Sequence, residues 1–297
     1  MATADLLETA LSRAFATITG PATPPQLRAA MRHAVFPGGA RVRPRLVLEV
    51  TRACAPTQLP MAQQLAVALE LVHCASLVHD DLPCFDNAPV RRGRPSVQAR
   101  FGESLAVLVG DALIVGAFDV LGRAAAECPR LVRSIGVLAS AIGARSGLVA
   151  GQAWEAVPRA DLGRYHRAKT GALFEAAVTM GALAGEGRVD DWLELGETIG
   201  SAYQLADDIL DLTASSSERG KPVGQDLLLG RPSAVLELGI EGAYAALQRA
   251  LGRLPELVPD TPGAPDFRAW LAEAVCRIFA PVYTPAAASR TEASLSA

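Results

Sequence analysis

Leu77-Val78-His79-Asp80-Asp81-Leu82-Pro83-Cys84-Phe85-Asp86 decides how this chain is read. An apolar stretch beginning near Met61 carries helical periodicity into a cluster of acids. Pro83 disfavours helical geometry at Leu82, and Asp80 and Asp86 would face different ways on an unbroken helix. The helix over Met61–Leu82 is therefore expected to end or loosen near Pro83. Asp86 then returns toward the cluster from a loop that continues through Asn87–Pro95.

A distant counterpart stands at Tyr203-Gln204-Leu205-Ala206-Asp207-Asp208-Ile209-Leu210-Asp211. Asp207, Asp208 and Asp211 are spaced i, i+1 and i+4, which puts them on roughly one face of a helix. Carboxylates crowded onto greasy helices repel one another unless something positive lies between them. Hard divalent cations such as Mg²⁺ take oxygen ligands, commonly one or two carboxylates plus substrate phosphates. Two such clusters suggest a clamp on a metal and a diphosphate.

Composition agrees with helices. Half of the 297 residues are apolar but only 5% are aromatic, and Ala and Leu fill long stretches, which suits packed helices better than a β-sandwich. The net charge of −3 gives no polycation character, so no nucleic-acid partner is expected. Arginines cluster locally at Arg41, Arg43 and Arg45 and at Arg91, Arg92 and Arg94, and their forks suit phosphate oxygens. The five cysteines show no CxxC spacing, so they read as thiols in a reducing compartment. Met1–Gly20 lacks the pattern of a secretory leader, and apolar stretches of membrane-spanning length are interrupted by charges or helix breakers. A cytoplasmic protein that is not transmembrane is expected.

Helices are expected over Asp5–Thr19, Pro25–His33, Arg45–Ala53, Glu103–Ala126, Leu131–Trp154, Leu162–Gly185, Asp190–Thr213, Ala234–Leu254 and Phe267–Phe279. The polar segment Ser215–Pro222 reads as a mobile loop with Lys221 near the second acid cluster. Residues 1–280 are expected to form one domain, and 281–297 a frayed tail.

From Pro37 to Ser233 the chain resembles the trans-isoprenyl diphosphate synthase (polyprenyl synthetase) family, and within it the bacterial carotenoid-type geranylgeranyl diphosphate synthases. The resemblance rests on several motifs in the family's order. Gly38-Gly39-Ala40-Arg41-Val42-Arg43-Pro44 is similar to the GGKRxRP segment, and Asp80-Asp81-x4-Asp86 with Arg91-Arg92-Gly93 to the first aspartate-rich motif and its arginine pair. Gly110-Asp111, Gly151-Gln152, Lys169-Thr170-Gly171 and Gln204-x2-Asp207-Asp208-x2-Asp211 complete it.

The resemblance implies an all-α, single-domain helical bundle around a deep central cavity, working as a homodimer. It implies that Asp80, Asp81 and Asp86 hold Mg²⁺ from one wall and Asp207, Asp208 and Asp211 from the other. The implied substrates are isopentenyl diphosphate and an allylic diphosphate. Ionisation of the allylic diphosphate, attack by the isopentenyl double bond and loss of a proton to the released diphosphate would follow. Arg91, Lys169 and Lys221 are implied contacts to the allylic diphosphate, and Arg43, His73 and Arg92 to isopentenyl diphosphate. Thr170 and Gln204 offer oxygen dipoles near the cation. A lone histidine on an apolar helix is ordinarily a satisfied core residue, and only its place in the motif assigns His73 to the site.

Ala75 and Ser76, one to two turns before Asp80, are small where short-chain members of the family often carry an aromatic plug, so the resemblance implies room for a growing tail and a geranylgeranyl product. Four positions depart from the family's pattern: Ala40 in place of lysine, Pro89 in a usually acidic stretch, Gln98 in place of histidine and Arg231 in place of lysine. The loss at Ala40 leaves a second reading, a noncatalytic or weakly active partner subunit. A terpene cyclase is a third, against which Arg43, Arg92 and the second acid motif speak.

Overall fold

The computed structural model describes residues 3–36, 39–157, 160–214 and 231–283. Helix α1 spans Thr3–Ile18, α2 Pro25–Val35, α3 Val42–Cys54 and α4 Leu59–Asp80. A short helix α5, Val97–Phe101, leads into the long α6, Glu103–Glu127. Helices α7, Val132–Ile142, and α8, Leu148–Trp154, divide the stretch expected to be one helix. Gly143 and Gly147, both extended, mark the break. Then come α9, Leu162–His166, a π-helical turn, Arg167–Gly171, and α10, Ala172–Ala184. Helices α11, Asp190–Thr213, α12, Ala234–Arg253, and α13, Ala264–Phe279, complete the bundle.

Helix α4 is apolar nearly all round, and a helix of that kind has to be covered on every side. It packs on α6, α3, α10 and α1, while α10 packs on α3, α11, α7 and α4. Leu65, Val67, Leu69 and Leu71 from α4 join Leu46, Val50, Leu173 and Phe174 in one core. A second cluster, Leu205, Ile209, Ala243, Leu247, Phe279 and Val282, seats the end of α11 against α12. Val282 is 1% exposed and its carbonyl accepts from the Tyr244 hydroxyl at 3.2 Å. The tail expected to fray from Pro281 is thus docked as far as Tyr283, and 284–297 lie outside the described residues.

By length and composition α4, with its lead-in from Pro56, and α6 could each cross a bilayer, yet 67% of the first apolar window is buried against 44% of the second. α4 is the core helix, whereas α6 keeps an exposed apolar face. The loop expected over Asn87–Pro95 contains a small antiparallel ribbon, Val90–Arg91 (β1) with Arg94–Pro95 (β2). Its two turn residues, Arg92 and Gly93, have φ of 54° and 70°, the geometry of a tight two-residue hairpin.

The π-helical turn carries Lys169 and Thr170, and the approach of α8 to it leaves no room for a side chain at Gly151. A Cβ there would stand 2.3 Å from the backbone nitrogen of Lys169. Gly151→Ala should therefore lower stability by about 1–3 kcal/mol. Urea denaturation checks this, and an unchanged midpoint would show the contact to be slack.

Candidate active site

Helix α4 ends at Asp80, and the chain folds straight back: the Asp86 N–H donates to the Asp80 carbonyl at 2.9 Å and the Ala88 N–H to the Asp81 carbonyl at 3.1 Å. The acids gather as the sequence suggested, with Pro83 at the reversal. Asp81 is 2% exposed and its Oδ1 accepts from Arg91 Nε at 2.8 Å and Nη2 at 2.5 Å. Arg91 also lies 3.7 Å from Asp86 Oδ2. Arg231 reaches across to donate to Asp86 Oδ1 at 2.6 Å.

Arg231 joins this first motif to α8, because the same nitrogen lies 3.0 Å from Glu155 Oε2. Glu155 Oε1 accepts from Lys169 Nζ and, at 3.1 Å, from the Tyr165 hydroxyl. Lys169 stands high above its ordinary range: burial pulls it down, and Tyr165, Asp80 and Glu155 more than reverse that. Asp80 itself is raised, first by burial and then by Asp86 and Glu155, against the pull of Lys169 and Arg91. Its carboxylate accepts no hydrogen bond from the described residues and stays open.

On the other wall Thr170 Oγ1 donates to Gln204 Oε1, and Gln204 Nε2 donates to Asp208 Oδ1 at 2.7 Å. Asp208 Oδ2 accepts from the Ala234 N–H at 2.6 Å, at the start of α12, and His166 Nε2 stands 3.1 Å away without hydrogen-bond alignment. Both Asp208 oxygens are thus committed to protein donors. Asp207, one residue earlier, is half-buried, and Asp211 is 8% exposed.

The arginines form a separate group. Arg43 lies 4.4 Å over the Phe174 ring and 5.2 Å over Tyr203. Arg92 crosses Gly39 so closely that a Cβ there would meet Arg92 Nε at 2.9 Å. His73 is held well below the usual imidazole range, first by burial and then by Arg43, Arg92, Arg41 and Arg91, so it meets this group as a neutral ring. Arg41, grouped with the others by sequence, turns inward instead: it donates to Glu8 at 2.9 Å, Glu70 at 2.5 Å and the Val35 carbonyl at 2.8 Å. Lys221 lies outside the described residues, as do Pro37 and Gly38.

His73, Ser76, Leu77 and Asp80 are the partly exposed residues of one face of α4. Ser76 therefore lies in line with Asp80, whereas Ala75 is 1% exposed and off that face. Glu155, Tyr165 and His166 were not singled out from sequence, and Arg231 only as a departure from pattern. For Glu155 the available signal was its position one turn after Gly151-Gln152.

Among the described residues no three acids, histidines or cysteines are grouped closely enough to cage a metal alone. Mg²⁺ needs no such cage, because it keeps waters and shares its sphere with phosphate oxygens. The open Asp80 carboxylate beside Asp86, with cations ranged behind, fits that ion and not a thiolate- or imidazole-seeking metal.

Burial raises Asp81 to about 6, against the pull of Arg91. A carboxyl whose folded pKa exceeds its unfolded value stabilises the fold fully below the unfolded pKa and loses that contribution as pH rises through the folded one. In chelator, stability should therefore decline from about pH 4 to about pH 6, by on the order of 2–3 kcal/mol from this group. Asp81→Asn should flatten that profile in denaturation at stepped pH, and an identical slope would refute the assignment.

The polyprenyl synthetase family model matches residues 24–259. The chain is 48% identical over 278 residues to a geranylgeranyl diphosphate synthase of Cereibacter sphaeroides, covering 93% of this chain and 95% of that one. It is also 48% identical to the enzyme of that name from Rhodobacter capsulatus over 258 residues, 86% of this chain and 89% of the other. A solved Helicobacter pylori geranyltransferase, complexed with magnesium and isoprenyl diphosphate, shares the fold with a TM-score of 0.76 at 28% identity, covering 92% of this chain and 97% of that one. With the motifs in place on an all-α bundle, the chain belongs to the polyprenyl synthetase family.

Proposed function

We propose that the protein is a trans-prenyltransferase that condenses isopentenyl diphosphate with dimethylallyl, geranyl or farnesyl diphosphate to give geranylgeranyl diphosphate, using Mg²⁺. The observation that carries this reading is the meeting of the open Asp80 carboxylate and the arginine-bonded Asp86 with cations from three other segments, Arg91, Lys169 and Arg231. Such a mixture suits a metal and a diphosphate bound together. The likeness to geranylgeranyl diphosphate synthases supports the product.

Asp80, Asp86 and Asp207 offer oxygens to the metal, with Asp211 one turn further on. Asp81 contributes by fixing Arg91, and Asp208 by fixing Gln204 and the start of α12. When bound, the metal supplies Lewis acidity that stabilises charge growing on the leaving diphosphate. Arg91, Lys169 and Lys221 bind that diphosphate, and Arg43, Arg92 and neutral His73 hold isopentenyl diphosphate. The Thr170–Gln204 pair sets dipoles where positive charge develops. Ser76, on the face of Asp80, leaves the tail's path free.

The exposed apolar face of α6, with Val107 42%, Leu108 51% and Val115 69% exposed, supports a homodimer. The five free cysteines support a cytoplasmic setting. The working domain includes the docked turn through Tyr283.

Purified protein incubated with Mg²⁺, isopentenyl diphosphate and each allylic diphosphate should yield geranylgeranyl diphosphate by mass spectrometry. Farnesyl diphosphate alone after long incubation would overturn the product, hydrocarbon release would indicate a cyclase, and silence would favour the partner subunit. Asp80→Ala and Asp207→Ala should each cut kcat by about 10²-fold or more with the fold intact. Near-normal turnover in both would refute the clamp. Ala40 is exposed just before α3, so Ala40→Lys should lower KM for isopentenyl diphosphate by about tenfold. An equal KM in the two proteins would show that the lysine's absence costs no affinity.

A further inference from the structure

Glu155, one turn after Gly151-Gln152, has no role assigned from the sequence, yet its carboxylate meets four side chains among the described residues. The side chain is 8% exposed. Oε1 accepts from Lys169 Nζ and the Tyr165 hydroxyl; Oε2 faces Arg231 Nη2 at 3.0 Å and accepts from Gln152 Nε2 at 3.3 Å. Its partners come from α8, α9, the π-helical turn and the segment before α12.

We propose that Glu155 is a positioning residue for the allylic diphosphate: it gathers Lys169 and Arg231 into one place and keeps both aimed at the leaving group. The inference rests on the prenyl-transfer reading for the identity of the ligand.

The physical case is a competition between acids. Lys169 and Arg231 have long, flexible side chains that are 20% and 7% exposed, and two buried cations this close repel each other. Without Glu155, the anions that these two cations face among the described residues are those meant for the metal. Arg231 already touches Asp86, and Lys169 feels Asp80. Loss of the Glu155 charge would let the cations close over these oxygens and block metal and diphosphate alike. With Glu155 present, each cation is held by an acid set back at the end of α8, just past Trp154, and still presents donors to an incoming phosphate.

The test uses the full chain as wild type, Glu155→Gln and Glu155→Asp, with inorganic diphosphate in Mg²⁺ as the calorimetric probe. E155Q is expected to weaken diphosphate binding and raise the allylic KM by about tenfold, the scale typical of a lost supporting partner. KM for isopentenyl diphosphate should move by less than about twofold, kcat should fall by less than the allylic KM rises, and E155D should stay within about threefold of wild type in affinity. Unchanged or tighter diphosphate binding by E155Q would mean that Glu155 merely sequesters the cations, which overturns the proposal. A fall in kcat like that of Asp80→Ala with unchanged KM would make it a metal ligand, which also overturns it. If E155Q does not fold, E155D decides, and a loss of about tenfold or more there refutes positioning by charge. Wild type that binds diphosphate but makes no prenyl product sinks the functional reading alone, since the calorimetric comparison still judges Glu155.

Discussion

A carboxylate removed from water has to find positive charge, and this bundle buries several where α4, α8, α11 and the start of α12 meet. Arg91 answers Asp81, Arg231 spans Asp86 and Glu155, Lys169 answers Glu155, and the α12 backbone answers Asp208. Pairs of this kind seldom add net stability, because desolvation offsets attraction. Their effect is to fix location. Each cation comes from a different segment, so satisfying the acids brings those segments to one point.

The parts of this arrangement that were legible in the sequence were local. Helical periodicity and the reversal at Pro83 depend on near neighbours, and the fold places them as expected; the second acid motif lies on α11 as expected, but Asp208 departs from the shared face into the wall. What could not be read was long-range or a matter of register. Gly143 and Gly147 break a helix that periodicity alone would have continued. The ribbon around Arg92-Gly93 is too short to show alternation. Arg41 looks like Arg43 in sequence, but Glu8 and Glu70 capture it, and those are contacts across the fold.

Two kinds of acid therefore share each motif. In the first, Asp80 is open and Asp81 is occupied by arginine; in the second, Asp208 is tied to Gln204 and Ala234. Adjacent residues on a helix point about 100° apart, so an Asp-Asp pair sends one carboxylate to the cavity and the other into the wall. The doubled aspartate is a division of labour imposed by helix geometry, and a count of acids overstates the number of metal ligands.

The π-helical turn at Arg167–Gly171 places one more residue in its turn than an α-helix would. Five residues of π-helix and four of α-helix sweep almost the same angle, so removing one residue here would restore regular winding with α9 and α10 nearly in place. Tyr165 and His166 would stay beside Glu155 and Asp208, and the change would fall on the turn itself. A relative one residue shorter here could keep both walls and still present Lys169 and Thr170 differently between them.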